Sequence, residues 1–165
     1  MGNTEGKTSM KQENRAYIAG FLEGDGCIML QLVYRHDYVL GYQIRASIVF
    51  YQKQQYRWFL SWLQDQFGGI GYIRNRNDGM SEYTIVGIGD VKKVLTLLLP
   101  YLRMKKPQAE LTLKVISQMP GSGRKMTKEK LLTLSKDVDR FLELNYSKRR
   151  TNTSKKLKAY LASHT

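Results

Sequence analysis

The chain reads as an α+β protein: a four-stranded antiparallel sheet with helices covering one face. Three observations carry that reading. Residues 28–35 and 42–51 alternate apolar and polar side chains with period two. A second pair of such segments, 72–76 and 82–88, flanks a turn at Asn77-Asp78-Gly79. Around these hairpins run helical segments punctuated by glycine and proline.

The elements follow in order. Residues 1–12 form a polar leader, expected to be flexible. Glu13 or Asn14 starts a first helix that runs to about Gly24. In the first hairpin the even set is Ile28, Leu30, Leu32 and Tyr34, then Tyr42, Ile44, Ala46, Ile48 and Phe50. The odd set includes Gln31, Arg35, Gln43, Arg45 and Ser47, with a link through His36, Asp37 and Gly41. Gln54 to Phe67 is helical, with Trp58, Leu60, Trp62 and Leu63 on its apolar side, until Gly68-Gly69-Ile70-Gly71 breaks it. After the second hairpin a short helix over 90–99 stops at Pro100. Pro107 opens the next, to about Met119. Helices over 128–144 and 154–162 close the chain, within a basic helical tail that starts near residue 121.

The 165 residues, 42% of them hydrophobic, suit one domain over residues 13–165. Lys and Arg number 27 against 14 Asp and Glu, a net charge of +13, which points to a polyanionic partner. Residues 121–165 hold 12 basic and 4 acidic groups, so the tail supplies +8 of that total. No run of 18 apolar residues exists, so no membrane span is expected. The polar start lacks a secretory core. Cys27 is the only cysteine, which excludes an internal disulfide, and two histidines are too few for a structural zinc site. The chain is expected to be intracellular, in a prokaryotic cytoplasm or an organelle matrix, and not secreted. No organic cofactor is indicated.

The segment Ile18-Ala19-Gly20-Phe21-Leu22-Glu23-Gly24-Asp25-Gly26 is the most informative. Ala16, Gly20 and Gly24 are spaced by four and line one stripe of the first helix. Each helical glycine costs roughly 1 kcal/mol against alanine, and close approach of another backbone is the compensation expected. Glu23 and Asp25 crowd a helix C-terminus, which carries about half a negative charge and disfavours acids unless a cation sits among them. Asp25 with the Gly24 carbonyl is therefore the expected Mg²⁺ site, as hard oxygen donors suit that ion. One copy of the motif invites a two-fold partner, packed along the stripe with both Asp25 groups at the centre.

The odd sheet face offers Gln31, Arg35, Gln43, Arg45, Arg74, Arg76, Glu82 and Thr84. Arg and Gln pair with guanine and adenine in the major groove, and Glu can accept from cytosine. Tyr38 and Tyr72, with Val33 and Val49, are further contacts, suited to thymine methyls. Eight strand residues at about 3.3 Å span roughly 26 Å, which covers about eight base pairs at about 3.4 Å each. A dimer would thus read two half-sites of a pseudo-palindromic duplex. Ser147, Lys148, Asn152 and the tail's other basic residues are expected to clamp phosphates.

The same nine residues resemble the signature of the LAGLIDADG homing endonucleases: Ala19, Gly20, Asp25 and Gly26 match it letter for letter. The resemblance runs over about residues 13–160, through Gln52-Lys53, Arg57-Trp58-Phe59-Leu60, Tyr101-Leu102-Arg103-Met104-Lys105-Lys106, Leu144-Asn145 and Ser147-Lys148. It is most similar to single-motif members encoded in introns of ribosomal RNA genes. That likeness implies an αββαββα fold and a homodimer using two or more shared divalent ions to hydrolyse both strands of a long DNA site during intron homing. It assigns metal binding to Gly24 and Asp25, and catalytic roles to Asp25, Gln52 and Lys105. Gln52 would orient water and Lys105 would stabilise phosphate charge. Tyr56 departs from the family, which often has a basic residue there, and Glu23 in place of Asp is read as structural. An RNA-binding maturase and a non-cleaving DNA-binding regulator are the alternatives, and Asp25, Gln52 and Lys105 together argue against both.

Overall fold

Alternation in the two long strands turns the even set of apolar residues to one side. In the computed structural model, which describes residues 10–121, 123–145 and 152–164, β1 (Gly26–Tyr34) and β2 (Tyr42–Lys53) pair antiparallel from Gly26↔Phe50 to Tyr34↔Tyr42. β4 (Met80–Val86) pairs with the far half of β2, and β3 (Tyr72–Asn75) pairs with β4, giving the order β1-β2-β4-β3. The buried face carries Ile28, Leu30, Leu32, Ile44, Ala46, Ile48, Phe50, Tyr83 and Ile85. Phe50 stacks between Phe21 (6.0 Å) and Tyr83 (5.8 Å). Burying a side chain of that size contributes about 1.5–3 kcal/mol.

α1 (Gln12–Asp25) lies on this face through Ile18, Ala19 and Leu22 and runs into β1 with no intervening loop. Gly26 is required there, because a Cβ would stand 2.8 Å from Leu22 Cδ1 and 2.9 Å from the Val49 carbonyl. α2 (Arg57–Gln66) follows a 3-10 turn at Gln54–Tyr56 and buries Leu60 and Leu63. α3 (Ile88–Leu98) and α4 (Lys106–Gln118) bracket a second 3-10 turn that absorbs Pro100. α5 (Lys128–Leu144) is capped by Thr127, and α6 (Ser154–Ser163) by Thr153. The expected fold class holds: α+β, helices on one face, a four-stranded antiparallel sheet.

The boundaries differ in informative ways. β3 ends at Asn75, one residue early, because Arg76 already belongs to the turn: its N–H donates to Met80 O at 2.7 Å, and its carbonyl accepts from Gln54 Nε2 at 2.9 Å. Arg35 lies past β1, with its N–H bonded to Gly41 O. Of the leader, residues 1–9 lie outside the described residues, and the first helix begins at Gln12.

Candidate metal site and nucleic-acid interface

The site is built where α1 meets the sheet. Since Gly26 pairs with Phe50, the end of α1 and the residues that follow Phe50 lie side by side. Gln52, on the even set, faces the helix side with Ser81 opposite, and its side-chain oxygen accepts from the Lys53 N–H at 3.0 Å. The Glu23 carboxylate accepts from the backbone N–H groups of Arg103 (3.2 Å) and Lys105 (2.8 Å). This bond spans 82 positions and fastens the 103–105 segment to the helix end. Lys105 Nζ then donates to the Glu23 carbonyl at 2.8 Å, a cation on the negative end of the helix. Glu23 is therefore the structural acid, and, two residues before Asp25 on the same helix end, it holds Lys105.

Asp25 and Gly24 are both exposed at the tip, and no described side chain pairs with the Asp25 carboxylate. A carboxylate and a main-chain carbonyl are hard oxygen donors and fit Mg²⁺. Among the described residues no three His, Cys, Asp or Glu groups gather into a complete metal cage. Gly24 and Asp25 present two such oxygen donors at the tip of the helix. Ala16, Gly20 and Gly24 are exposed along α1, and a Cβ at either glycine meets nothing within 4 Å. Tyr17 on α1 is 58% exposed, and Trp58 on α2 and Met104 are exposed as well, at 67% and 71%. Tyr17 meets Phe59 and Trp62 edge-on, each at 6.1 Å, so the surface is an aromatic patch as well as a small-residue stripe.

The opposite face of the sheet carries the predicted reading residues. Gln43 and Arg45 are exposed and Gln31 half-buried on the free side of β2 and β1. Tyr72 and Arg74 are exposed on β3, opposite Thr84 and Glu82. Arg76 follows β3 in the turn and is exposed. Three of the arginines are held by acids of the same chain: Arg74 by Glu82, Arg76 by Asp78 at 2.9 Å and Arg35 by Asp37 at 2.8 Å. Glu82 and Thr84 are buried, at 8% and 7% exposed, because the middle of the face is packed. There Cys27 Sγ lies 3.7 Å from Tyr51 Oη, and burial pushes both the thiol and the phenol up, so both stay protonated near neutral pH.

Asn152 Nδ2 donates to the Leu32 carbonyl at 3.1 Å and so ties the start of α6 to β1. Ser147 and Lys148 lie outside the described residues. Lys155, Lys156 and Lys158 are exposed on α6. Sequence reasoning missed Lys53, exposed at the end of β2 on the free side, which the odd alternation reaches when carried two residues past Tyr51. Arg57, the nearest base to Tyr56, points to β3 and donates to Asn75.

This helix-to-strand junction, on a sheet open on one face, defines the class: the chain belongs to the LAGLIDADG endonuclease family, whose profile matches residues 18–116. It is 38% identical to DNA endonuclease I-CreI of Chlamydomonas reinhardtii, over 94% of this chain and 93% of that protein. It is 43% identical to DNA endonuclease I-CvuI of Chlorella vulgaris over 65% of this chain and 66% of that one. A crystal structure of I-CvuI with the I-CreI target in 2 mM Mg, the DNA not cleaved, superposes with a TM-score of 0.86 at 36% identity, covering 92% of this chain and 94% of that one. The archaeal intron-encoded I-Vdi141I, complexed with DNA, shares the fold at 17% identity (TM-score 0.79), over 92% of this chain and 96% of that one.

Proposed function

We propose that this protein is a site-specific, divalent-metal-dependent DNA endonuclease acting as a homodimer on a long, pseudo-palindromic duplex. The observation that carries this reading is the tip of α1, where Asp25 stands exposed, with no partner among the described residues, on the helix end that Lys105 joins through the Glu23 carbonyl. The relatives I-CreI and I-CvuI are DNA endonucleases, and I-CvuI has been captured on DNA with Mg and with Ca, which supports the same substrate and metal class here. The biological role in this reading is intron homing, and the likeness of the motifs to members encoded in ribosomal RNA gene introns supports a gene of that kind. The sole cysteine, unpaired within the chain, agrees with an intracellular setting. No helix of the described residues is long and apolar enough to cross a membrane.

Asp25 and the Gly24 carbonyl would hold Mg²⁺, two or more ions being shared across the dimer. Bound there, the ion would neutralise charge on the scissile phosphate and make water acidic enough to attack. Lys105, fixed by its own bond to the Glu23 carbonyl, places an ammonium where negative charge develops on the phosphate. Gln52 offers an amide to position water. On the sheet, Glu82 holds the Arg74 guanidinium through one nitrogen, Nε, and leaves the others to reach a base edge. The exposed stripe and its aromatic flank take the second copy, since a patch of this kind on a lone chain marks an interface.

Cleavage of a randomised duplex library in Mg²⁺, with the cut ends sequenced, tests the proposal. Wild type returns one site with related halves, and EDTA returns none. Arg74→Ala costs about 1–3 kcal/mol and relaxes one base position in each half. Lys156→Ala weakens all sequences alike and flattens the salt slope by about one unit. An uncut library would overturn the function, and identical profiles from the two variants would overturn the division between reading face and clamp.

A further inference from the structure

The first hairpin loop, residues 35–41, is held from behind by the C-terminal helix. Gly41 has φ +76°, and a Cβ there would lie 2.3 and 2.5 Å from two ring carbons of Tyr160 and 2.6 Å from its hydroxyl oxygen, so the phenol rests directly on the loop backbone. The same ring meets Tyr34 edge-on at 5.6 Å and Tyr42 at 5.4 Å. These two residues are the last pair of the β1–β2 ladder, from which the loop departs. His164 stacks on the Tyr160 ring at 3.9 Å. Tyr160 therefore grips the loop at its return and both strands at its base.

The grip is transmitted to the loop's tip. Arg35 N–H donates to Gly41 O at 2.9 Å, Tyr38 N–H to Arg35 O at 3.1 Å, and Gly41 N–H to Tyr38 O at 2.9 Å. The Arg35 guanidinium lies over the Tyr38 ring, 5.2 Å from its centroid. Gly41 cannot shift without carrying Arg35 and Tyr38 with it. The arm behind Tyr160 is itself anchored three ways. Leu157 and Leu161 bury its inner face, Ser154 N–H donates to Asp139 Oδ1 at 3.0 Å, and Asn152 bonds the Leu32 carbonyl of β1.

We infer that Tyr160 is a positioning residue for target recognition: through Gly41 it fixes Arg35 and Tyr38 where they read the outer base pairs of each half-site, since β1 carries this loop to the hairpin end opposite the Asp25–Gly26 junction. The inference rests on the reading of this face as a DNA interface. Misplacement of a contact by about 1 Å is enough to forfeit most of its value, so the effect belongs to specificity at a few positions and not to cutting as a whole.

The experiment profiles base preference over the half-site by library cleavage for wild type, Tyr160→Ala, Tyr160→Phe, Arg35→Ala and the Arg35→Ala/Tyr160→Ala double variant. Tyr160→Ala should lose about tenfold of the discrimination at the outer positions, the scale of one good base contact. The positions read from β3 and the cutting rate at saturating protein should not move. Tyr160→Phe, which keeps the ring, should restore the profile. In the Arg35→Ala background, Tyr160→Ala should add nothing at the positions Arg35 reads. Should Tyr160→Ala fail to fold, Tyr160→Leu carries the same expectation, since it keeps the helix apolar but loses the flat ring on Gly41. A uniform loss across the site, or an unaltered profile with only a lower Tm, would overturn the role of Tyr160. A flat outer profile for Arg35→Ala would instead overturn the reading of the loop itself.

Discussion

Asp25→Asn is expected to abolish cutting while DNA binding stays near wild type. Asp25 is exposed at the negative end of α1 and has no described partner within the chain, so Asn removes charge without removing a structural contact. The acid is unfavourable at that position, so the variant's Tm should hold or rise slightly. The metal contribution to phosphodiester hydrolysis is several kcal/mol, and about 4 kcal/mol corresponds to roughly a thousandfold in rate. Single-turnover nicking in Mg²⁺ reads the loss, and mobility shift in Ca²⁺ or EDTA reads retained binding. Cleavage at the wild-type rate would remove Asp25 from the metal site.

Gly20→Leu is expected to raise the stability of the single chain and yet destroy double-strand cleavage. A side chain at Gly20 meets nothing in its own chain within 4 Å. Exchanging a helical Gly for Leu stabilises the helix by somewhat under 1 kcal/mol. If a second copy packs its own α1 along that stripe, the same side chain forces the helices apart by several ångströms and separates the two Asp25 groups. Catalytic geometry tolerates no such displacement, since about 1 Å can cost a hundredfold. Urea unfolding of the variant, alongside light scattering and a two-strand cleavage assay, separates the two effects. Full double-strand cleavage by a variant that stays dimeric would show that the stripe is not the contact.

The sheet was legible because period-two alternation is local: each apolar residue of 28–32 and 42–50 reports its face from its nearest neighbours. Helix α5 was legible to the residue because Thr127 and Asn145 bound a clean amphipathic run. Gln52 and Lys105 were reachable only through family resemblance. What brings Lys105 to α1 is Glu23 accepting backbone N–H groups 80 and 82 positions away, and no periodicity reports a bond to a main chain. The Arg74–Glu82 pair needed the β3–β4 register, which the shortened β3 fixes one residue from where alternation alone would end it. The grip of Tyr160 on Gly41 joins residues 119 positions apart, and its one sequence trace is the glycine that the close approach demands.

The central claim is that one chain supplies half of a two-strand nuclease. Sedimentation of the wild-type protein on its target duplex in Ca²⁺, followed by transfer of the same complex to Mg²⁺, tests it most directly. Two chains per duplex, with both strands cut after transfer, is the predicted result. One chain per duplex that still cuts both strands would contradict it.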